Sequence, residues 1–458
     1  GEILKGIGAG ADLKMMTRKF CWRQVRRAAA SAGLAGLLLA FPSAGQTKAS
    51  KAGSNAHRIS TQLTGEVPTH AGQRLKLGTD LGNVRIHVHD AEVVDYKVEL
   101  NTDSSQPHAQ DLLKQFTVYS RATGEGVLVK GSTSTQGSSG RLWVTFDVNI
   151  PRNYSVDIVT GGGSIETDDI NGRATLTTAG GNITAGAVSG NARFDTGGGH
   201  VRVKDVSGDL MASTGGGHIS GGAIAGSAIL HTGGGHIRVT SVGGTAKFDT
   251  GGGNISVEKA GAELVAGTSG GQIDVGEASG NVRARTAGGG IRVVRVTGST
   301  NLETGGGSIY LTQVDGAVRA TTAAGQITAW LGPEAKLPGG CDLQSSDGDI
   351  VVYIPRELPV TIDALVRLGD EHRLIVDPAF PLKVSYDDPS EGGRMIRAEG
   401  PLNGGGEVLK LRAVAGNIRL ALSDTAKQLE IYHQQMDELQ KQLKLHLHPD
   451  DSPGDAPQ

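Results

Sequence analysis

The sequence is built on a threonine that returns every eighteen residues. In most units glycines follow it, as in the stretch TGGGHI that begins at Thr232. Fixed periods near twenty residues indicate a solenoid, in which each unit stacks on the next. The repeating threonines are Thr160, Thr178, Thr196, Thr214, Thr232, Thr250, Thr268, Thr286, Thr304 and Thr322.

Aliphatic residues recur inside each unit at strand spacing. Five residues after each threonine stands Ile or Val, as in Ile165 and Val201. Positions fourteen and sixteen, together with the next threonine, alternate with the period of two that is typical of a strand. Two short strands cannot bury a face alone, so stacking would pair each strand with its copy in the next unit. The predicted fold class is therefore all-β: a parallel β-solenoid of stacked 18-residue two-strand coils with irregular β caps and a C-terminal α-helix.

Positions fourteen and sixteen also exchange volume within each coil. Ala192 goes with Phe194, whereas Leu210 goes with Ala212. Close-packed interiors require a nearly constant volume per layer. This exchange indicates that both positions face a shared core.

The glycines have a structural and a functional interpretation. A flat coil must reverse direction within a few residues, which favours glycine with a positive φ, and stacked corners leave no room for Cβ atoms. A phosphate cradle of the glycine-rich-loop type would require a helix directly after the glycines, and the pattern here continues as a strand. The structural interpretation is preferred.

Composition divides the rest of the chain. Residues 1–45 are predicted to be upstream residues followed by a signal peptide, because a basic start, a short apolar run and small residues follow one another there. An uncleaved N-terminal anchor is the alternative. Export to the periplasm, cell surface or medium is expected, and a formal net charge of -3 does not favour nucleic-acid binding. The further predicted segments are a flexible linker at 46–57, an N-terminal β cap with degenerate coils at 58–159, the repeats at 160–355, a C-terminal β cap at 356–423, an amphipathic helix at 424–448 and a disordered tail at 449–458.

The predicted terminal helix carries a short heptad seam, in which apolar residues recur at steps of three and four. That spacing fits a coiled coil, and hence a homo-oligomer, as well as it fits packing against the end of the solenoid. The seam consists of Leu429, Tyr432, Met436, Leu439 and Leu443.

Three columns of polar residues are candidate sites. His200, His218 and His236 share one column, where the alternatives are a transition-metal site and a solvated polar surface. Two aspartates, Asp195 and Asp249, share another column, where calcium-binding repeats place an Asp beside a glycine-rich turn, but other residue types separate them. A third column, six residues after each threonine, holds Glu166, Arg202, Arg238, Asp274 and Arg292 without the paired carboxylates of a glycosidase. No catalytic, cofactor-binding or metal site is predicted, and the chain is not expected to be an enzyme.

The pattern TGGGxIxVxxVxG, with LGNVRIHV upstream, resembles the bacterial putative-adhesin family, a β-strand-repeat domain of unknown function. The resemblance covers roughly residues 75–420. It implies adhesion and supplies no catalytic residues. The expected function is an exported non-enzymatic binding or structural protein of the bacterial cell envelope, with a glycan, matrix or envelope protein as partner. The alternatives are a periplasmic scaffold that oligomerises through its C-terminal helix and a carbohydrate-active β-helix enzyme.

Overall fold

Strands account for almost all regular structure in the described part of the chain. The structure, a computed structural model, describes residues 48–51, 58–106, 108–134, 141–333, 335–367, 372–387, 395–423 and 425–444. The predicted signal peptide and the predicted tail lie outside the described residues. No helix among the described residues is both long and apolar enough to cross a membrane.

The N-terminal region forms eight strands and a short helix before the regular repeats begin. Their bounds are β1 (Lys48–Lys51), β2 (Arg58–Pro68), β3 (Arg74–Thr79), β4 (Asn83–His89), β5 (Val93–Asp103), α1 (Ala109–Lys114), β6 (Phe116–Thr123), β7 (Gly126–Thr133) and β8 (Leu142–Pro151).

Each repeat then contributes two strands, one ending at the repeating threonine and one beginning with the Ile or Val five residues later. The strands are β9 (Ser155–Thr160), β10 (Ile165–Thr167), β11 (Ala174–Thr178), β12 (Ile183–Ala185), β13 (Ala192–Thr196), β14 (Val201–Val203), β15 (Leu210–Thr214), β16 (Ile219–Ile224), β17 (Ala228–Thr232), β18 (Ile237–Val242), β19 (Ala246–Thr250), β20 (Ile255–Ala260), β21 (Leu264–Thr268), β22 (Ile273–Ala278), β23 (Val282–Thr286), β24 (Ile291–Val296), β25 (Thr300–Thr304), β26 (Ile309–Val314), β27 (Val318–Thr322), β28 (Ile327–Leu331), β29 (Cys341–Asp347) and β30 (Ile350–Ile354).

Six strands and a long helix complete the described chain. They are β31 (Val360–Arg367), β32 (Leu374–Val376), β33 (Lys383–Asp387), β34 (Met395–Leu402), β35 (Val408–Ala415), β36 (Ile418–Leu422) and α2 (Thr425–Lys444).

The repeat strands form two parallel sheets. The threonine sheet contains the odd-numbered strands from β9 to β29, and the isoleucine sheet contains the even-numbered strands from β10 to β30. Up to β27 and β28, neighbours pair residues eighteen positions apart, as Val156 with Ala174 and Ile165 with Ile183, whereas β29 and β30 pair at a longer interval, as Val318 with Cys341. This register confirms the predicted parallel β-solenoid of stacked 18-residue coils.

The core lies between the two sheets. Ile165, Ile237 and Ile255 are completely buried, as their place in the repeat predicts. The exchange of volume continues between coils, because Phe194 of β13 lies directly beside Ala212 of β15. A large side chain therefore fills the space that the small side chain of its neighbour leaves, which close packing requires.

The repeating threonine joins neighbouring coils through its hydroxyl group. Thr232 Oγ1 donates to the carbonyl oxygen of Gly217, 2.8 Å away in the preceding coil. It also accepts the backbone N–H of Gly235 in its own coil at 3.1 Å. The side chain is fully buried, so these bonds satisfy polar groups that water cannot reach. Ser345 occupies the same place near the end of the repeats and donates to Gly325 at 3.0 Å.

The third residue after each repeating threonine is a glycine because stacked corners touch there, and not because of its backbone conformation. A Cβ atom on Gly235 would lie 2.0 Å from the carbonyl oxygen of Gly217. Among the ten described third glycines only Gly163 has a φ in the left-handed region. The expectation that corners have no room for Cβ is confirmed here, whereas the expectation of a positive φ is wrong for the other nine.

The middle glycine of each run differs from its neighbours. A Cβ atom on Gly234 would meet nothing within 4 Å, although one on Gly233 would lie 2.1 Å from the oxygen of Gly215. In the last regular coil Ala324 takes the middle position. Three consecutive glycines are therefore not equally required.

Strands β3 and β4 of the N-terminal cap form the coil that stacks directly on the first repeat. Strand β3 pairs in parallel with β9 and places Thr79 beside Thr160, although β4 to β8 lie between them in sequence. Strands β7 and β8 pair with the opposite edges of β3 and β4. The outer strands then run antiparallel, and β1 pairs with β2. Part of the predicted flexible linker is therefore a strand.

The C-terminal cap follows the same plan. Strands β35 and β36 stack in parallel on β29 and β30, although β31 to β34 lie between them in sequence. Strand β31 pairs in parallel with β35 and antiparallel with β34. Antiparallel strands at both ends interrupt the parallel stack, whose open edges would otherwise favour pairing with another chain.

Gly235→Ala should destabilise the chain because its Cβ would overlap the carbonyl of the preceding coil. Overpacking of this kind costs about 1–3 kcal/mol. Gly234→Ala is the matched control, and its free energy of unfolding should change by less than about 1 kcal/mol, since the site is open. Thermal melting followed by circular dichroism compares them. Equal melting temperatures for the two variants would contradict the corner contact.

Candidate functional site

The three histidines of the repeat form a stacked column at the glycine corner. The ring centroids of His200 and His218 are 4.9 Å apart, and those of His218 and His236 are 4.8 Å apart. The Nδ1 atoms of His200 and His218 each accept the backbone N–H of the following histidine at 2.9 Å. A neutral ring in this arrangement carries its proton on Nε2.

This column continues as a hydrogen-bond ladder along the corner. Asn182 Oδ1 accepts the N–H of His200 at 2.8 Å, and Asn254 Oδ1 accepts the N–H of Gln272 at 3.0 Å. Histidine, asparagine and serine share the position because each has an acceptor for the next coil. No group of three His, Cys, Asp or Glu among the described residues could hold a metal ion. The geometry fits the polar-surface interpretation of the histidines.

The column six residues after each threonine lies on the outer face of the isoleucine sheet. Its central part runs in register from Arg202 through Ser220 and Arg238 to Ser256 and Asp274. The sequence shows the charges of this column but not which of them have a partner. The two arginines flank a serine that is only 7% exposed.

Neither arginine forms an ion pair within the described part of the chain. The Nε atom of Arg202 is buried and has no hydrogen-bond partner there. Burial lowers the pKa of Arg238 from its ordinary value. By contrast, Arg85 in the same column lies 3.7 Å from Glu166, measured from Nε to Oε2. Arg202 and Arg238 are therefore partly buried cations for which the described residues supply no counter-charge.

Asp274 is a buried carboxylate further along this column. Gln272 Nε2 donates to its Oδ1 at 2.8 Å, and Arg292 Nη1 lies 3.9 Å from the same oxygen. Burial raises the pKa of Asp274, and the hydrogen bond and the guanidinium oppose that rise. Glu166, the other acid of the column that sequence analysis singled out, lies six coils away. The structure does not bring these two carboxylates together.

Helix α2 lies across the outer face of the isoleucine sheet, where it contacts β18 to β26. Met436 and Leu439 are buried there. Tyr432 donates its hydroxyl to Glu277 Oε1 at 2.5 Å, and burial followed by this contact raises the pKa of Tyr432 to about 12. Gln440 Nε2 donates to Glu258 Oε1 at 2.9 Å.

The helix therefore packs on the side of the solenoid. The alternative of packing against the end of the solenoid is wrong. A helix seam can satisfy its apolar residues on any flat face, so spacing alone did not locate the contact. The side chains of Leu429 and Leu443 lie outside those that the structure describes. Self-association through the seam stays a prediction.

The outer face of the threonine sheet presents pairs of charged residues. Arg193 Nε donates to Asp195 at 2.9 Å, and His231 Nδ1 lies 3.2 Å from Asp249 Oδ2. The two aspartates weighed as calcium ligands thus each face a basic side chain, three coils apart. Arg285 lies 3.6 Å from Glu303 in the same way.

Two features interrupt this charged face. Met211 and Ile229 are adjacent in neighbouring strands and are 37% and 46% exposed. Further along, Gly267 separates Asp249 from Arg285 and opens a groove of about 660 Å³ at the glycine corner. The face therefore offers apolar, acidic and basic contacts at regular spacing.

No protein-family model matches the chain, and no curated protein matches it. Two solved structures align with much of it. One is a putative cell adhesion protein from Clostridium sporogenes, with 9% identity, a TM-score of 0.15, and coverage of 79% of this chain and 99% of that one. The other is a putative lipid binding protein from Parabacteroides distasonis, with 10% identity, a TM-score of 0.20, and coverage of 64% and 94%. TM-scores this low do not establish a relationship, so the adhesin resemblance stays an expectation.

Asp274→Asn should stabilise the chain at neutral pH. Because burial raises the pKa of Asp274, this group favours folding below the ordinary carboxyl pKa and loses that contribution as pH rises through the raised pKa. Asparagine removes the charge and keeps an acceptor for Gln272, so the melting temperature at pH 7 should rise by about 2 °C. The gain should shrink toward about pH 4.

Glu166→Gln is the control, because this carboxylate is exposed. It should not raise the melting temperature at pH 7. A lower melting temperature for Asp274→Asn at pH 7 would mean that the contact with Arg292 outweighs the cost of burial.

Proposed function

We propose that the chain is an exported, non-enzymatic, adhesin-like binding protein of the bacterial cell envelope. Its ligand is an extended glycan or matrix polymer held along the outer face of the threonine sheet. The observation that carries the proposal is the regular outward presentation of side chains on parallel strands, which are about 4.8 Å apart. A ligand with its own repeat can contact such a face many times, and weak contacts then add up.

The arrangement of the two faces supports the choice of the threonine sheet. Helix α2 packs on the isoleucine sheet, whereas Met211 and Ile229 on the threonine sheet are exposed side by side. Apolar side chains among polar ones are typical of binding surfaces. Charged pairs such as Arg285 with Glu303 would add hydrogen-bond partners for sugar hydroxyl groups.

Binding of the purified chain to insoluble polysaccharides, including cellulose, chitin and peptidoglycan, tests this proposal. The double variant Met211→Lys, Ile229→Lys should bind the retained polymer at least tenfold more weakly. Thr184→Lys is the control and should bind as the parent does, because Thr184 lies on the outer face of the isoleucine sheet in β12, beyond the strands that α2 contacts. Equal binding by all three proteins would rule out the threonine face, and release of reducing ends would show an enzyme instead.

Location in the envelope has its own test. Protease added to intact cells should digest the mature chain if the solenoid is displayed on the surface, as an adhesive role requires. Protection that is lost when the outer membrane is permeabilised would contradict surface display. It would favour the periplasmic scaffold, and a change in mass on Leu439→Asp would then be expected if the helix mediates self-association.

A further inference from the structure

Arg202, Ser220 and Arg238 form a three-coil cluster on the outer face of the isoleucine sheet. Each is the direct register partner of the next. Neighbouring parallel strands lie about 4.8 Å apart, so the two arginine backbones are about 10 Å apart. Two arginine side chains can span that distance and meet above the serine between them.

The charges of this cluster are not compensated by the described residues. Placing a cation away from water is costly unless an anion or several acceptors meet it. Arg202 has a buried Nε atom without a partner in the described chain, and burial disfavours the charge of Arg238. An anion that does not belong to the described residues would remove this cost at both arginines.

The acids nearest in the column are already engaged. Two coils before Arg202, Glu166 lies beside Arg85. Two coils after Arg238, Asp274 is held by Gln272 and Arg292. In the described column, paired charges therefore lie on both sides of Arg202 and Arg238, which have no paired charge.

His200 supplies a further donor at one end of the cluster. Its Nδ1 atom accepts the N–H of His218, which leaves the proton of a neutral ring on Nε2. Gln272 and Asp274, which hold the same two positions in a later coil, are in hydrogen-bond contact. A side chain at the position of His200 can therefore reach a group bound at the position of Arg202.

We propose that Arg202, Ser220 and Arg238, with His200 beside them, bind an oxyanion. A sulfate, phosphate or carboxylate group would lie above Ser220 and accept hydrogen bonds from both guanidinium groups. Planar guanidinium groups match the oxygen pairs of such anions. The site is on the opposite sheet from the polymer face proposed above and stands independently of it.

Inorganic sulfate is the first probe, titrated into the purified chain by calorimetry at constant ionic strength with chloride. Saturable binding with one site per chain is expected. The double variant Arg202→Gln, Arg238→Gln should bind sulfate at least tenfold more weakly. Circular dichroism checks that it is folded, and Arg202→Lys, Arg238→Lys should restore part of the affinity if charge alone contributes.

Lys247→Gln, Arg283→Gln is the matched control. Lys247 and Arg283 are exposed, lie on the threonine sheet and are also two coils apart. This variant loses the same charge and should bind sulfate as the parent does. Equal weakening in both double variants, or no sulfate binding by the parent, would overturn the proposal.

Polygalacturonate and neutral dextran then distinguish the source of the anion. Tighter binding of polygalacturonate than of sulfate, lost in Arg202→Gln, Arg238→Gln, would assign the site to a group on an acidic polysaccharide. Binding of sulfate alone would assign it to a free ion. Equal binding of dextran and polygalacturonate by the parent and by the arginine variant would contradict recognition of a charged polymer here.

Discussion

The bond from the threonine hydroxyl to the glycine carbonyl of the preceding coil is the contact on which the stack depends. Thr232 makes it at 2.8 Å while accepting the N–H of Gly235. The carbonyl of Gly217 can be approached only because Gly235 has no side chain there. Hydroxyl and glycine thus act as one unit, and together they fix the distance and register between coils at the corner. Buried side chains such as Ile237 then fill the space that this register sets.

The sequence predicts the structure of the single coil, but it does not predict contacts between segments that are distant in sequence. The eighteen-residue period predicts which residues face inward, and Ile165 and Phe194 are buried as expected. It did not predict that β3 stacks directly on β9, because the segment between them has no period. The positive φ expected of the corner glycines was wrong because stacking contact alone already requires glycine there.

The candidate sites show the same limit. The column of His200 was visible in the sequence, but its hydrogen bonds to the next coil need the backbone to be placed first. Arg202 and Arg238 were visible in one column with Glu166, Asp274 and Arg292, but nothing in the sequence shows which of these charges keep a partner. Alternation of arginine and serine in one column was the available signal. The docking of Leu439 depends on the shape of a sheet face, which the helix sequence does not contain.

Each coil of the repeats bonds mainly to the coil before and the coil after it, and the caps end the stack without fixing its height. Length is therefore a quantity that duplication or loss of one eighteen-residue unit can change without redesigning either end. The only described element that spans many rungs at once is α2, which crosses β18 to β26. The rungs under the helix must keep their spacing, whereas rungs outside it can be duplicated. The length of the solenoid can therefore evolve separately from the surface that the helix covers.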